Sequence, residues 1–229
     1  IAARNGILKI SHIINLHPWE YNEVPVLLGA ALRQDVPIIG LHLTRPPIEI
    51  PDREKLGMAS HFEAARGAYL IRDYSPGKPR GGAIVVQGTS AMVSLCKLLP
   101  DLESHDLNVK LVYAASPELF ARQAASYRER ILSPADRADS TVITTQSRGS
   151  MTDWIFNELA PEYALSSDRD DRWRTGGTVE EVIDEAGLSP EKMLEGIRRF
   201  VREREARLSR LEAGLAEARR SPAGELLPT

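Results

Sequence analysis

This 229-residue sequence lacks paired cysteines, a long apolar run and an excess of basic residues. Its single cysteine, Cys96, excludes an internal disulfide and a zinc site built from several cysteines. No apolar run approaches the roughly 20 residues of a membrane-spanning helix. Positive and negative charges are interleaved and the formal net charge is −3, so the basic surface typical of nucleic-acid-binding proteins is lacking. We therefore expect a cytoplasmic protein with no nucleic-acid and no membrane partner.

What the sequence does contain is an ordinary globular composition, 42% hydrophobic and 27% charged. The length suffices for one large domain or two modest ones. The sequence starts at Ile1, and residues 1–6 read as the last turn of a helix that ends at a glycine. We expect the chain to be a piece of a longer protein.

The clearest pattern spans residues 82–113. An apolar strand over residues 82–87 turns at Gly88 into a helix that we expect a hydroxyl side chain to cap, and residues 108–113 form the next strand. This order is typical of a right-handed βαβ unit. Residues 140–145 add a third strand. The sequence therefore predicts an α/β fold with three layers, α/β/α, around a mostly parallel sheet.

The N-terminal part predicts a strand, a helix and a second strand. Residues 7–16 form the first strand, and acidic and polar residues at 20–23 begin a helix whose apolar body covers residues 24–32. Residues 35–45 form a buried strand that ends at Arg45. Ligands in open α/β sheets bind beyond the carboxyl ends of strands, so Arg45 is a candidate ligand contact.

Shorter elements follow further along the chain. Residues 133–139 read as a loop, and residues 152–159 read as an amphipathic helix with apolar residues facing inward. A short strand is expected near residues 163–165. Residues 178–181 form a capping box that begins a helix, and Ser189 begins the last helix.

Three stretches of the sequence resemble motifs of the transketolase family. Residues 17–23 and 43–46 are similar to the motifs that close its pyrimidine-binding domain. A spaced pattern of its C-terminal domain is matched by Phe120, Gln123, Tyr127, Arg128 and Leu132. The resemblance implies the end of a pyrimidine-binding domain over 1–50, a linker over 51–80, a transketolase C-terminal domain over 81–203, and a helical extension and tail over 204–229.

The resemblance also implies a function. Transketolases form homodimers and use thiamine diphosphate and Mg²⁺ to transfer a two-carbon ketol unit between sugar phosphates. Their cofactor-binding Gly-Asp-Gly motif and acidic activator are absent from this sequence, so N-terminal thiamine-binding domains or a separate subunit must supply them. We expect the chain alone to bind no cofactor or metal, to contain no catalytic residue, and to support architecture and dimerisation.

Arg45 matches the strand-end arginine that binds the substrate phosphate in this family. A planar guanidinium suits that role, although a structural ion pair is the alternative. Residues 88–92, 144–147 and 173–177 depart from the family pattern, so the exact substrate stays open. The alternatives are a fragment similar to a homodimeric 2-oxo-acid (pyruvate) dehydrogenase E1, and a non-catalytic regulatory or interaction module.

Other candidate residues favour structural roles. His12, His17 and His42 lie on or beside strands and are interpreted as packing residues rather than general bases. Residues 88–90 favour a helix cap over an anion site. The acidic pairs at 170–171 and 180–181 favour solvated surfaces over metal sites. A thin apolar stripe on the last helix favours a solvated helix over a partner-binding one. The stripe consists of Val201, Leu208, Leu211 and Leu215.

Overall fold

The computed structural model describes residues 12–44, 47–172, 174 and 176–220. The N-terminal part forms a two-stranded parallel sheet from β1 (Ile13–Leu16) and β2 (Ile38–Leu41). Helix α1 (Glu23–Leu32) connects the two strands. This is the predicted order of strand, helix and strand, although residues 1–11, which include the start of the predicted first strand, lie outside the described residues. The second strand was predicted to be buried and to end at Arg45, but β2 ends at Leu41 and its residues are partly or fully exposed.

The larger sheet has five strands in the order β3-β5-β4-β6-β7. Its strands are β3 (Ala68–Arg72), β4 (Ala83–Gln87), β5 (Lys110–Ala114), β6 (Ser140–Thr144) and β7 (Leu165–Ser166). Only β3 runs antiparallel, at one edge. The three strands predicted from the sequence are neighbours at the centre of this sheet, and every residue in them is buried. The predicted α/β class with a mostly parallel sheet is confirmed.

Helices cover both faces of this sheet. They are α2 (Thr89–Ser104), α3 (Pro117–Ala121), α4 (Ala125–Ile131), α5 (Pro134–Ala138), α6 (Val179–Glu185), α7 (Pro190–Arg202) and α8 (Arg204–Arg220). Along β4 the side chains alternate between two cores, Ile84 and Val86 in one and Val85 in the other, as strand geometry requires. The predicted three-layer arrangement is therefore confirmed. Among the described residues, no helix has both the length and the apolarity needed to cross a bilayer.

The N-terminal unit shares one of these cores with the larger sheet. Leu16 of β1 and Leu27 of α1 belong to the same buried cluster as Leu95 of α2 and Ile84 of β4. The intervening range 51–80, interpreted as a linker, contains a 3₁₀ segment (His61–Arg66) and the edge strand β3. The proposed domain boundaries themselves stay predictions.

Two local predictions are wrong. The loop expected at 133–139 contains α5, because Ser133 and Asp136 form a capping box that stabilises a short helix. In place of the helix expected at 152–159, a 3₁₀ segment (Arg148–Trp154) is followed by Ile155 in an extended conformation and by a bend and turn at 157–159. The Asn157 side chain fixes this turn by donating to two main-chain carbonyls. Trp154 is nevertheless buried. The apolar pattern therefore identified which side of this segment faces inward, but not the conformation of the segment.

The last helix predicted from Ser189 onward is divided at Glu203 into α7 and α8. Helix α8 is attached mainly by arginines rather than by its leucines. Arg207 is fully buried, donates to Asp139 Oδ1 at 2.6 Å, and lies 3.7 Å from the centre of the Phe200 ring. Arg204 donates to the other oxygen of Asp139 at 2.6 Å. Leu215 of the predicted stripe is 62% exposed. Beyond these anchors the helix is largely solvated, as expected.

Candidate functional site

The carboxyl ends of strands from both sheets meet at one place. His17 follows β1, His42 follows β2, Gly88 follows β4 and Thr145 follows β6. Main-chain bonds hold the two sheets together here, since the His17 amide donates to the Ala115 carbonyl at 2.8 Å. This edge is where parallel α/β sheets bind ligands, so we take it as the candidate site.

Two histidines stack at this edge. The rings of His17 and His42 lie 4.2 Å apart and nearly parallel. The Gln146 side-chain amide is 3.1 Å from His17 Nδ1, and Asn15 Oδ1 is 3.3 Å from His42 Nε2. Because the amide nitrogen of Asn15 donates to Glu118, its oxygen faces His42, and His42 Nε2 carries the proton of that bond. Both rings are thus fixed in a side-chain network, as packing residues are.

A buried ionic cluster contains the two glutamates of the motif at residues 17–23. We call Glu20, Glu23, Arg53 and Tyr69 the Arg53 cluster. Arg53 donates at 2.7 Å to Oε1 of both glutamates, and its side chain is only 9% exposed. Tyr69 of β3 donates to Glu23 and accepts from the Trp19 indole at 2.8 Å. The cluster therefore ties the N-terminal unit to the larger sheet.

The cluster holds more acid than base. Burial raises the pKa of Glu23 to about 7, against the opposing effect of its bonds to Tyr69 and Arg53. One guanidinium serves two carboxylates. Within the described residues, Oε2 of Glu20 is buried and has no hydrogen-bond partner. The cluster is thus short of one donor or one positive charge.

Sequence reasoning missed Arg53 and Tyr69. Glu20, Asn22 and Glu23 were expected to provide capping and acidic groups at the start of α1, but Asn22 makes no side-chain cap bond. Glu20 and Glu23 point inward instead, with 3% and 0% exposure. Two acids so close to an apolar helix need a buried base, and that requirement is the signal that could have directed attention to Arg53.

Two cavities open at this edge. The first, here named the Glu20 cavity, has a volume of about 350 Å³. Its walls include Trp19, Glu20, Tyr21, Val24, Leu43 and Ile48. The second, of about 730 Å³, has a polar wall that includes His42, Gln146, Ser147, Ser167, Arg172 and Arg174. Volumes of this size are typical of small-molecule sites.

Ion pairs neutralise the charged side chains around the second cavity. Arg172 and Arg174 both bind Asp170, and Arg148 binds Asp171 at 2.9 Å. The arginine bonds hold the pKa of Asp170 well below its usual range. The acids at 170–171, predicted to be solvated, are therefore paired at the surface. Nowhere in the described ranges do three His, Cys, Asp or Glu side chains form a group suited to a metal ion.

The start of α2 differs from the prediction. Gly88 precedes the helix with φ +101°, and a side chain there would lie 2.6 Å from Thr145 Oγ1. The cap is not a hydroxyl of Thr89 or Ser90, because Thr145 from the neighbouring strand accepts from the Ala91 amide at 3.0 Å. The predicted cap by residues 88–90 is therefore wrong, and Thr145, which follows β6, provides the capping oxygen instead.

Arg45 lies outside the described residues, so its assignment to a substrate phosphate stays a prediction. Leu43 and Thr44, the two residues before it, line the Glu20 cavity, and Leu43 is 62% exposed. The described part of this stretch, Leu43 and Thr44, therefore lies at the candidate edge.

The residues of this chain do not fit thiamine diphosphate and its metal ion. The Gly-Asp-Gly motif is absent from the printed sequence. The two buried carboxylates at the edge, Glu20 and Glu23, are engaged by Arg53 rather than being available to a cofactor ring.

Comparisons with known proteins point to one family. No protein-family model matches the chain. A transketolase of Aquifex aeolicus (strain VF5) is 30% identical over 130 residues, which is 56% of this chain and 18% of that protein. A Pichia stipitis transketolase in complex with sedoheptulose 7-phosphate has a TM-score of 0.63 and 18% identity, over 85% of this chain and 26% of that one. A split-gene transketolase, described as an inactive β4 tetramer, has a TM-score of 0.50 and 12% identity, over 86% of this chain and 59% of that one.

These findings confirm the predicted resemblance to transketolases and the α/β fold. The chain spans about a fifth of the length of the curated relative and about a quarter of the Pichia stipitis chain. The chain resembles a C-terminal-domain-like fragment of those proteins.

Proposed function

We propose that this chain is the C-terminal part of a transketolase-type enzyme that transfers a two-carbon ketol unit between sugar phosphates. Thiamine diphosphate and Mg²⁺ are held by thiamine-binding domains that lie elsewhere in the same polypeptide or in a second subunit. The part described here supports the architecture and a homodimer, and is inactive alone. A cytoplasmic location belongs to the same proposal. The resemblance to transketolases, over a fraction of their length, supports it.

The observation that carries this proposal is the unfinished sheet formed by β1 and β2. Within the described residues β2 pairs with β1 alone. Parallel strands occur almost only in larger sheets that are covered on both faces. In β2, however, Ile38 is 51% and Leu41 is 36% exposed. An apolar parallel strand left in this state needs further protein to cover it.

The free side of β2 can be identified from its hydrogen bonds. The Ile38 amide donates to the carbonyl of His12, just before β1, and the His42 amide donates to the carbonyl of Leu16 in β1. Along a strand, successive residues direct their main-chain N–H and C=O groups to opposite sides. The main-chain groups of Ile39 and Leu41 therefore face away from β1. They present the edge to which a further parallel strand binds, and we assign that strand to the missing part of the pyrimidine-binding domain.

The split-gene transketolase, described as an inactive β4 tetramer, offers a precedent for the two-subunit form of the proposal. The likeness supports a shared fold, and the same division of labour is what we propose for this chain.

The test is a ketol-transfer assay with and without the thiamine-binding part. The chain alone should show no turnover of pentose phosphates and no heat of binding for thiamine diphosphate with Mg²⁺. Joined to, or mixed with, the polypeptide of the same genome that carries Gly-Asp-Gly, it should restore turnover. Micromolar cofactor binding by the chain alone, or turnover of pyruvate instead of sugar phosphates in the assembled enzyme, would contradict the proposal.

Arg45 is the proposed phosphate contact of the assembled enzyme. A charge-assisted bidentate pair contributes about 1.5–3 kcal/mol, so Arg45→Ala should raise KM for phosphorylated sugars roughly ten- to hundredfold. Unphosphorylated donors should be unaffected. Arg33→Ala, at the exposed end of α1, is the matched control. Equal losses for both substrate types would assign Arg45 a structural role.

A further inference from the structure

The two stacked histidines at the candidate edge are held from both sides by residues that surround the larger sheet. Glu118, on α3, accepts from the Asn15 main-chain amide at 3.1 Å and from the Asn15 side-chain amide at 2.9 Å. On the other side, the Gln146 side-chain amide lies 3.1 Å from His17 Nδ1. Neither Glu118 nor Gln146 belongs to the N-terminal unit. The part of the chain around the larger sheet therefore determines where the histidine pair lies.

The bonds of Glu118 also fix the His42 ring. Asn15 uses its amide nitrogen for Glu118, so its oxygen Oδ1 faces His42 Nε2 at 3.3 Å and accepts the proton of that nitrogen. Gly40 leaves room for this arrangement, because a Cβ atom there would lie 3.0 Å from Asn15 Oδ1. A carboxylate on α3 thus selects one tautomer of a ring that follows β2.

His42 also lines the larger of the two cavities at this edge. That cavity has a volume of about 730 Å³, and every described residue that lines it has a polar side chain. A sugar phosphate suits such walls, because it carries an oxygen on nearly every carbon, and it is small enough to enter. The charged side chains of the walls are already paired, so hydrogen bonding rather than net charge determines what binds there.

We propose that the substrate of the assembled enzyme binds in this cavity with its hydroxyl groups against His42, and that Glu118 is the positioning residue that holds His42 there through Asn15. This inference rests on the proposed function, since it takes a sugar phosphate as the ligand. Arg45 keeps its proposed role as the phosphate contact. The part of the chain around the larger sheet then contributes to substrate affinity as well as to architecture.

The state of the His42 ring in the full chain alone is the first test. In nitrogen-15 NMR at a pH of about 8, where an imidazole is mostly neutral, His42 should carry its proton predominantly on Nε2. Glu118→Gln keeps the size of the side chain but replaces one acceptor oxygen by a donor. It should lower the ratio of the Nε2 to the Nδ1 tautomer roughly two- to tenfold. Glu129→Gln, at an exposed position of α4, is the matched control and should change nothing.

Ketol transfer by the assembled enzyme is the second test. A weakened contact that the substrate makes equally in the ground state and the transition state raises KM and leaves kcat unchanged. We therefore expect Glu118→Gln to raise KM for sugar phosphates roughly two- to tenfold. Gln146→Leu acts on the histidine pair from the opposite side and should show the same split, which decides the question if Glu118→Gln fails to fold. Glu129→Gln should leave KM and kcat unchanged.

Three outcomes would overturn the inference. An unchanged tautomer in Glu118→Gln would mean that Asn15 does not transmit the influence of the carboxylate to His42. A changed tautomer with an unchanged KM would mean that the substrate does not contact this ring. A loss of kcat and of folding stability without a change in KM would assign Glu118 a structural role. The proposed function fails in a different way, by the absence of ketol transfer in the wild-type assembly, and that result would also remove the ligand assumed here.

Discussion

The two sheets of this protein have similar apolar strands but very different surroundings. All five residues of β4 are buried, and β4 has a parallel partner on each side. In the described chain, β2 has one partner strand, and none of the four β2 residues is buried. Apolar content alone therefore does not make a strand a core strand. Under the proposed function, the C-terminal sheet is the complete region and the N-terminal sheet is the incomplete one.

The incomplete region is held in place by contacts with the complete one. The Tyr113 hydroxyl on β5 donates to the His17 carbonyl at 2.6 Å, and Tyr69 on β3 bonds to Glu23 and Trp19. Arg53 adds two buried ion pairs. The stability of the N-terminal unit should therefore depend on these polar contacts as well as on the apolar core that it shares with the larger sheet.

The largest expected effect comes from removing the base of the Arg53 cluster. Arg53→Ala leaves Glu20 and Glu23 buried without a cation and should lower the free energy of unfolding by about 3–5 kcal/mol. Urea denaturation measures it. Lys78→Ala removes an exposed pair with Asp106 and should cost less than about 1 kcal/mol. Similar costs for the two variants would mean that the cluster does not hold the regions together.

A pair of strand variants compares the two sheets directly. Ile84→Ala in β4 should cost about 2–5 kcal/mol, because Ile84 is 1% exposed. Ile38→Ala in β2 should cost less than about 1 kcal/mol, because half of that side chain is already in water. Adding the thiamine-binding part should raise the cost at Ile38 only. Equal costs in the chain alone would show that β2 is already covered.

Glu23 gives a smaller effect that depends on pH. Its pKa rises from 4.5 to about 7 on folding because it is buried, so the folded state binds the proton more tightly than the unfolded one. The resulting stability is present in full below about pH 4.5 and is lost as the pH rises to about 7. We expect a loss of roughly 1–3 kcal/mol over that window. Glu23→Gln should flatten the profile, and an unchanged profile in that variant would assign the dependence to another group.

The sequence specified the complete region better than the incomplete one. Apolar runs at 82–87, 108–113 and 140–145 form central strands that are buried on both faces, so local pattern and tertiary environment agree. The short helix α5 was missed because its capping box lies inside a run that reads as turn residues. Trp154 was correctly placed inside, but the bonds of Asn157 that prevent a helix come from distant carbonyls.

The candidate site was harder to predict because its partners are far apart in the sequence. Glu23 and Tyr69 are separated by 46 positions, and His17 and Gln146 by 129. Periodicity and capping patterns report on neighbours along the chain and carry no signal for such pairs. The resemblance to transketolases indicated which strand ends matter but not which side chains they bring together.

The central claim is that β2 is an open edge completed by the thiamine-binding part, and amide hydrogen exchange tests it most directly. The amides of Ile39 and Leu41 should exchange rapidly in the chain alone and become protected when the partner polypeptide is added, while those of β4 stay protected throughout. Protection of Ile39 and Leu41 in the chain alone, or rapid exchange there in an assembled enzyme that turns over sugar phosphates, would contradict the account.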